Sequence, residues 1–207
     1  MPRDPEAPFP KTYRGARKRF IAACQETHAD SIARVHPTAL GPDGKPLFID
    51  SVALGRRDAR KALLVISGWG GWDDGRSSQA LAELLEDGVR PPKEARLVLV
   101  HALNPFGAAW QKPENEEGLL LGDPKAAQSW SFQMLRAVLT EDLARAKKLS
   151  VVLLANAPQG KSAAGALAEL LRTFRPGLDL AARAVTPGPA GLAPNDKAAL
   201  VKALAEL

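Results

Sequence analysis

From residue 11 to 24 the apolar positions recur every three or four residues: Tyr13, Ala16, Phe20, Ala23 and Cys24 share one face. That spacing predicts an amphipathic helix. Arg14, Lys18 and Arg19 fall off the apolar face, mostly toward water. The period then changes. "SIARVHP" and "PLFIDSVAL" are extended runs on either side of "GPDGK", Gly41 to Lys45. A proline and two glycines around an aspartate predict a turn, and so a β-hairpin. Three later runs, "RKALLVISG", "ARLVLVHALNP" and "LSVVLLA", are continuously apolar, as strands covered on both faces are.

Helical patterns separate these runs. "SSQALAELLEDG" offers Ser77 or Ser78 as N-cap and Gly88 as stop. "AAQSWSFQMLRAVLTEDLARAKK" is the longest helical pattern, and "KSAAGALAELLRTF" follows the third buried strand. "KPENEEGLLLGDP" is polar, then apolar, and bounded by prolines, which predicts an irregular loop. The tail carries an extended run near "LAARAVTP", a Gly/Pro loop and a last helix from about Asn195. The expected fold class is α/β: a mixed, mostly parallel sheet with helices on both faces.

With 45% hydrophobic and 25% charged residues, the chain has material for one domain with a real core, placed at 11–207. "MPRDPEAPFP", residues 1–10, is expected to be a flexible tail. The single Cys24 excludes an internal disulfide and a cysteine-built zinc site. No apolar run reaches the length of a membrane span, and the N-terminus lacks the apolar segment of a secretory signal, so a cytoplasmic location and no membrane partner are expected. The net charge of +5 suits weak attraction to acidic surfaces. The densest basic run, Lys11 to Phe20, reads as a solvated helix face without stacking aromatics, which disfavours nucleic acid.

Three short patterns carry candidate chemistry. "ANAPQGKS", Ala155 to Ser162, follows a strand and precedes a helix. It is a relaxed phosphate-loop match in which Gly160, Lys161 and Ser162 would hold phosphates and magnesium. Ala155 stands where the first glycine belongs, and no later strand ends in a metal-holding aspartate. "VISGWGG" has a glycine-rich turn of esterase type, but there is no G-x-S-x-G elbow and no histidine after His101, which argues against an α/β-hydrolase. His101 closes its strand beside Asn104; a hydrogen-bonded strand-end histidine is favoured over a ligand-binding one.

"YRGARKRF", "HPTALGPDGKPLFIDSVALG", "ALLVISGWGGWDDG" and "VHALNPFGAAW" together resemble a bacterial family of zinc-carboxypeptidase-like proteins of largely unassigned function. In that family these stretches read roughly Y-x-x-A-R-x-x-F, H-P-x-x-G-P-D-G-E-x-L, S-G-T-H-G-V-E-G-F and H-A-L-N-P-Y-G-F-A-W. The resemblance is close over residues 13 to 110 and looser from 129 to 160. It implies a shortened carboxypeptidase-like fold. It also implies zinc held by the His and Glu of H-G-V-E and by a later His, with a fourth position for water. Carried onto this chain, those ligands fall on Gly70, Asp73 and, within a residue or two, Asn156. The arginines that would clamp a substrate carboxylate are replaced by Lys112 and Pro113, and Gly122 and Asp123 stand where Asn and Arg are expected. The shorter chain is expected to lack the late Glu base.

The resemblance therefore implies an inactive relative with no zinc or other cofactor, which acts by binding a protein or peptide partner or as a scaffold. Trp69, Trp72 and Asp74, with His101, Asn104 and Lys112, are the candidate binding residues. Trp69 and Trp72 either stand exposed as anchors or fill the space of the missing ligands. A residual metal-dependent peptidase or amidohydrolase, or nucleotide binding through residues 155–162, are the alternatives.

Overall fold

The structure is a computed structural model that describes residues 11–71, 75–155, 157–188 and 192–206, with all their side chains except those of 157–161 and 204–205. The tail expected over residues 1–10 lies outside the described residues. Helix α1, Tyr13–Glu26, begins where Thr12 accepts a hydrogen bond from the Gly15 backbone N–H at 3.2 Å, satisfying one of the helix's free donors. It buries Tyr13, Ala16, Phe20, Ala23 and Cys24, the five residues of the predicted stripe.

The basic face of α1 is not simply solvated. Arg14 binds Asp43 in the hairpin turn, Arg17 holds the fully buried Asp50 through two hydrogen bonds of 2.7 and 2.8 Å, and Arg19 pairs with Glu86. Opposite charges on the neighbouring elements thus engage three of its arginines.

The hairpin is present as β1, Ser31–Leu40, and β2, Pro46–Gly55, paired antiparallel. Its turn is closed by the Gly41 N–H donating to the Lys45 carbonyl at 2.9 Å. Strands β3, Lys61–Ile66, β4, Ala95–His101, β5, Lys148–Leu154, and β6, Asp179–Val185, complete a six-stranded sheet in the order β1-β2-β4-β3-β5-β6. β2 meets β4 antiparallel, and the other three pairings are parallel. The sheet is mixed and mostly parallel, as expected.

Side-chain alternation explains why the central strands read as unbroken apolar runs. Leu64, Ile66, Val100 and Leu153 face one core, built with Phe132, Leu135, Leu167 and Leu171. Leu63, Val65, Leu99 and Leu154 face the other, with Phe20, Leu81, Leu85 and Leu200. Each fully buried side chain of this size contributes roughly 1.5–3 kcal/mol, so both faces of the central strands favour apolar residues.

The helices of the first core are α4, Trp130–Glu141, and α5, Ala157–Phe174. Those of the second are α1, α2, Arg76–Glu86, and α6, Pro194–Ala205. A short α3, Pro105–Trp110, follows β4.

Two boundaries differ from expectation. Helix α2 is entered through Gly75, whose φ of 76° admits the chain without a side-chain cap; Ser77 and Ser78 lie buried inside its first turn. The long pattern of residues 126–148 is not one helix. Ser129 is extended (φ −60°, ψ 158°) and separates a 3-10 turn, Pro124–Gln128, from α4. At its end α4 stops at Asp142, whose carboxylate accepts from Arg96 at 2.9 Å. Among the described residues the longest helix is α5, with 18 residues.

Candidate functional site

β3 and β5 are parallel neighbours, yet the chain leaves β3 for α2 on one face and leaves β5 for α5 on the other. Diverging connections open a crevice beyond the carboxyl ends of such strands. A cleft of about 480 Å3 lies there. Trp69 and Gly70, just past β3, form one side, and Ser162, Ala163 and Ala166 of α5 form another. The third wall is the segment between α3 and the 3-10 turn, residues 111–123, which contributes Pro113, Leu120, Leu121 and Asp123.

That strap has little regular structure, and side chains hold it. Asn104 is fully buried at the N-cap of α3. Its Oδ1 accepts from the Gly107 N–H at 2.9 Å, and its Nδ2 donates to the carbonyls of Pro113 and Glu114, both at 3.2 Å. Asn115 folds the next turn by accepting from the Glu117 and Leu119 N–H groups. Glu116 reaches back to β1, where its Oε1 lies 3.1 Å from His36 Nε2. His36 Nδ1 accepts from the Thr38 and Ala39 N–H groups, so the ring's proton is on Nε2, facing Glu116. Replacing Asn104 with Ala is expected to lower stability by about 2 kcal/mol through the lost cap and two lost strap contacts. Urea midpoints would measure it, with faster amide exchange at Glu117 and Leu119; unchanged exchange there would refute the anchoring role.

The floor of the cleft is apolar and closed: Trp69, Leu121 and Ala163 are 5%, 3% and 4% exposed. Trp69 packs edge-on against Phe132, with ring centroids 5.7 Å apart. Of the two expectations for Trp69, packing is the one found. Asp123, half-buried, is the only charged side chain among the described lining residues. Ser162 is exposed and adds a hydroxyl.

Other expected residues are elsewhere. Lys112 is exposed on the strap and outside the cleft lining. Trp72, Asp73, Asp74 and Asn156 lie outside the described residues, as does the side chain of Lys161; Gly160 is described by its backbone alone. The phosphate-loop reading meets a backbone obstacle: α5 begins at Ala157, two residues after Ala155. The stretch 157–160 that should form the loop wrapping the phosphates is instead the first turn of the helix, and Pro158 within it has no N–H to offer.

His101 is also away from the cleft. It points to the α1 side of the sheet, fully buried, and stacks on Phe20 with centroids 4.9 Å apart. Neither ring nitrogen has a hydrogen-bond partner among the described residues, which corrects the expected hydrogen-bonded histidine. The nearest charge is Asp50 Oδ2, 3.9 Å from Nδ1. Burial pushes the His101 pKa down to about 4, against a smaller upward pull from Asp50. Cys24, beneath the same helix, is pushed up to about 12 by burial, so it offers no thiolate nucleophile.

Zinc fits this cleft poorly. Gly70 opens onto it without a donor. The chain's three histidines and one cysteine are all described and none lines the cleft: His28 follows α1, His36 sits in β1, and His101 and Cys24 are under α1. A zinc site with the usual nitrogen or sulfur ligands has no source for them here. Among the described residues there is no group of three His, Cys, Asp or Glu side chains placed to hold a metal. No helix is long and apolar enough to cross a membrane among those residues either.

Sequence reasoning named Asp123 only as a departure from the clamp, and passed over Leu120, Leu121, Ala163 and Ala166. The available signal was the apolar "LLL" inside an otherwise polar, proline-bounded loop.

Comparison with known proteins gives the following. The family described as "Protein of unknown function (DUF2817)" matches residues 9–122. No curated protein matches the chain. Among solved structures, a candidate carboxypeptidase A from Shewanella denitrificans is 14% identical, with a TM-score of 0.48 over 70% of this chain and 40% of that one. A candidate metallopeptidase from the same organism is 13% identical, with a TM-score of 0.48 over 75% and 61%. A metallo-carboxypeptidase from Burkholderia cenocepacia is 14% identical, with a TM-score of 0.46 over 72% and 41%. The chain thus spans 40 to 61% of the length of these three.

Proposed function

The chain belongs to the DUF2817 family, and from that premise we propose that it is a non-catalytic relative of the zinc carboxypeptidases which binds a peptide segment of a protein partner in the cleft between β3 and β5. The observation that carries this is Gly70: the position given by resemblance to the first zinc ligand lies on the cleft wall and has no side chain. The surrounding chemistry points the same way. Zinc hydrolysis needs three protein ligands and an open position for water, whereas the described lining residues supply an apolar floor and one carboxylate. Capture of a substrate carboxylate by an arginine fork has no counterpart, since Asp123 stands where Arg is expected. The size of the cleft and its apolar lining suit a few residues of peptide.

The test is zinc loading followed by dialysis and metal analysis, with a peptide-binding screen on the same protein. The expected result is zinc far below one equivalent, no hydrolysis of N-acylated amino acids or peptides, and saturable peptide binding. Stoichiometric zinc retained through dialysis, with hydrolysis, would overturn it.

A further inference from the structure

The polarity of the cleft is ordered by depth. Its closed floor is Trp69, Leu121 and Ala163; its only charge among the described lining residues, Asp123, is half-buried between exposed Gly122 and Pro124, at the mouth. Asp123 Oδ1 accepts from the Lys125 N–H at 2.8 Å and so caps the 3-10 turn. Its second oxygen has no partner among the described residues. Ser162, also exposed, presents a hydroxyl on the opposite wall.

We propose that the cleft receives the free N-terminus of a peptide whose first residue is aliphatic, with the side chain on the apolar floor and the α-ammonium at the rim against Asp123. This rests on the peptide-binding reading above and specifies the end of the peptide that is bound. A carboxylate at the rim attracts a cation and repels the C-terminal carboxylate that the arginine clamp would have bound, so the charge preference of the site is reversed. Depth selects among cations. A lysine or arginine side chain entering first would carry its charge to the floor formed by Trp69, Leu121 and Ala163, where an unpaired charge is costly to desolvate. An N-terminal leucine or isoleucine places apolar atoms on the floor and leaves its ammonium at the hydrated mouth. There it donates to the second Asp123 oxygen, across the cleft from α5. A charge-assisted hydrogen bond of this kind is stronger than a neutral one.

Calorimetric titration with four probes tests this on the full chain. The probes are leucyl-leucine amide, its N-acetyl form, N-acetyl-leucyl-leucine with a free carboxylate, and N-acetyl-lysine amide. The free-amine dipeptide should bind about tenfold tighter than its acetylated form, the worth of one charge-assisted contact at a wet rim. Asp123→Asn should erase that preference while leaving the thermal midpoint nearly unchanged, because asparagine still caps the 3-10 turn. Equal binding of the free and acetylated amides would overturn the ammonium assignment while leaving the peptide-binding reading in place. Tightest binding of the free carboxylate would overturn it in favour of C-terminal capture, and tightest binding of the lysine probe in favour of a side-chain cation. Failure of all four to bind would count against the peptide-binding reading itself, and with it this inference.

Discussion

Gly71→Ala is expected to lower stability by about 3 kcal/mol and to abolish peptide binding in the cleft. Gly71 has φ of 81°, which an L-residue adopts at a cost, and a Cβ there would sit 1.9 Å from the Lys112 carbonyl oxygen and 3.1 Å from the Gly107 carbonyl carbon. The first of those contacts is with the backbone of the strap, so no rotamer relieves it; the strap must move. It carries Leu120, Leu121 and Asp123, and moving it dismantles a wall of the cleft. Gly118→Ala is the matching control. Gly118 is on the same strap at φ 74°, but an added Cβ meets nothing within 4 Å, so only the backbone penalty of about 1 kcal/mol applies. Urea midpoints and peptide titrations on both variants separate strain from contact. If Gly71→Ala loses no more stability than Gly118→Ala and still binds peptide, the close packing of the strap on the β3 loop does not shape the site.

This packing shows why the site was harder to read from sequence than the fold. Elements set by local periodicity were legible. The stripe on α1 fell on Tyr13, Ala16, Phe20, Ala23 and Cys24, and those are the residues it buries. The turn at Gly41 to Lys45 paired the hairpin, and continuous apolar runs marked β3, β4 and β5 as covered on both faces. What failed depended on partners distant in sequence. The α1 arginines look solvated until Asp43, Asp50 and Glu86 arrive from other elements. The helical pattern around Trp130 looks continuous until Ser129 extends to bring the 3-10 turn alongside the strap.

The cleft is an extreme case, since it is assembled from a loop after β3, the N-terminal part of α5 and the strap between α3 and the 3-10 turn. Gly70, the position that resemblance gave to the first ligand, lines it. Periodicity had nothing to say about Leu120, Leu121 and Asp123, which belong to no helix or strand. Asn104 illustrates the same limit in reverse. A polar residue beside a strand end reads as a binding group, but its amide is fully used in holding the strap.

His101 is expected to make the protein acid-sensitive in a defined window. Its folded-state pKa of about 4 is below the ordinary value of about 6.5 that it regains on unfolding. Between those values the unfolded chain binds a proton that the native ring refuses, so stability rises with pH there and falls as the solution is acidified. The loss begins near pH 6.5 and is complete near pH 4, and by pH 4.5 it amounts to about 2.5 kcal/mol. The cause is steric and dielectric. The ring is stacked on Phe20 beside Tyr13 with no hydrogen-bond partner among the described residues, while Asp50 is already engaged by two hydrogen bonds from Arg17. A protonated ring would have only the partial attention of Asp50 at 3.9 Å. Phenylalanine fits the same stack and cannot be protonated, so His101→Phe should remove this share of the acid loss. At pH 7 it should leave stability equal or higher, since two unpartnered buried nitrogens disappear. Urea unfolding at pH 7 and pH 4.5 on both proteins checks the sign: the wild type should lose about 2.5 kcal/mol more than the variant. Equal losses would assign the acid sensitivity to other groups and would mean that the ring between Tyr13 and Phe20 accepts a proton as readily in the native state as in the unfolded one.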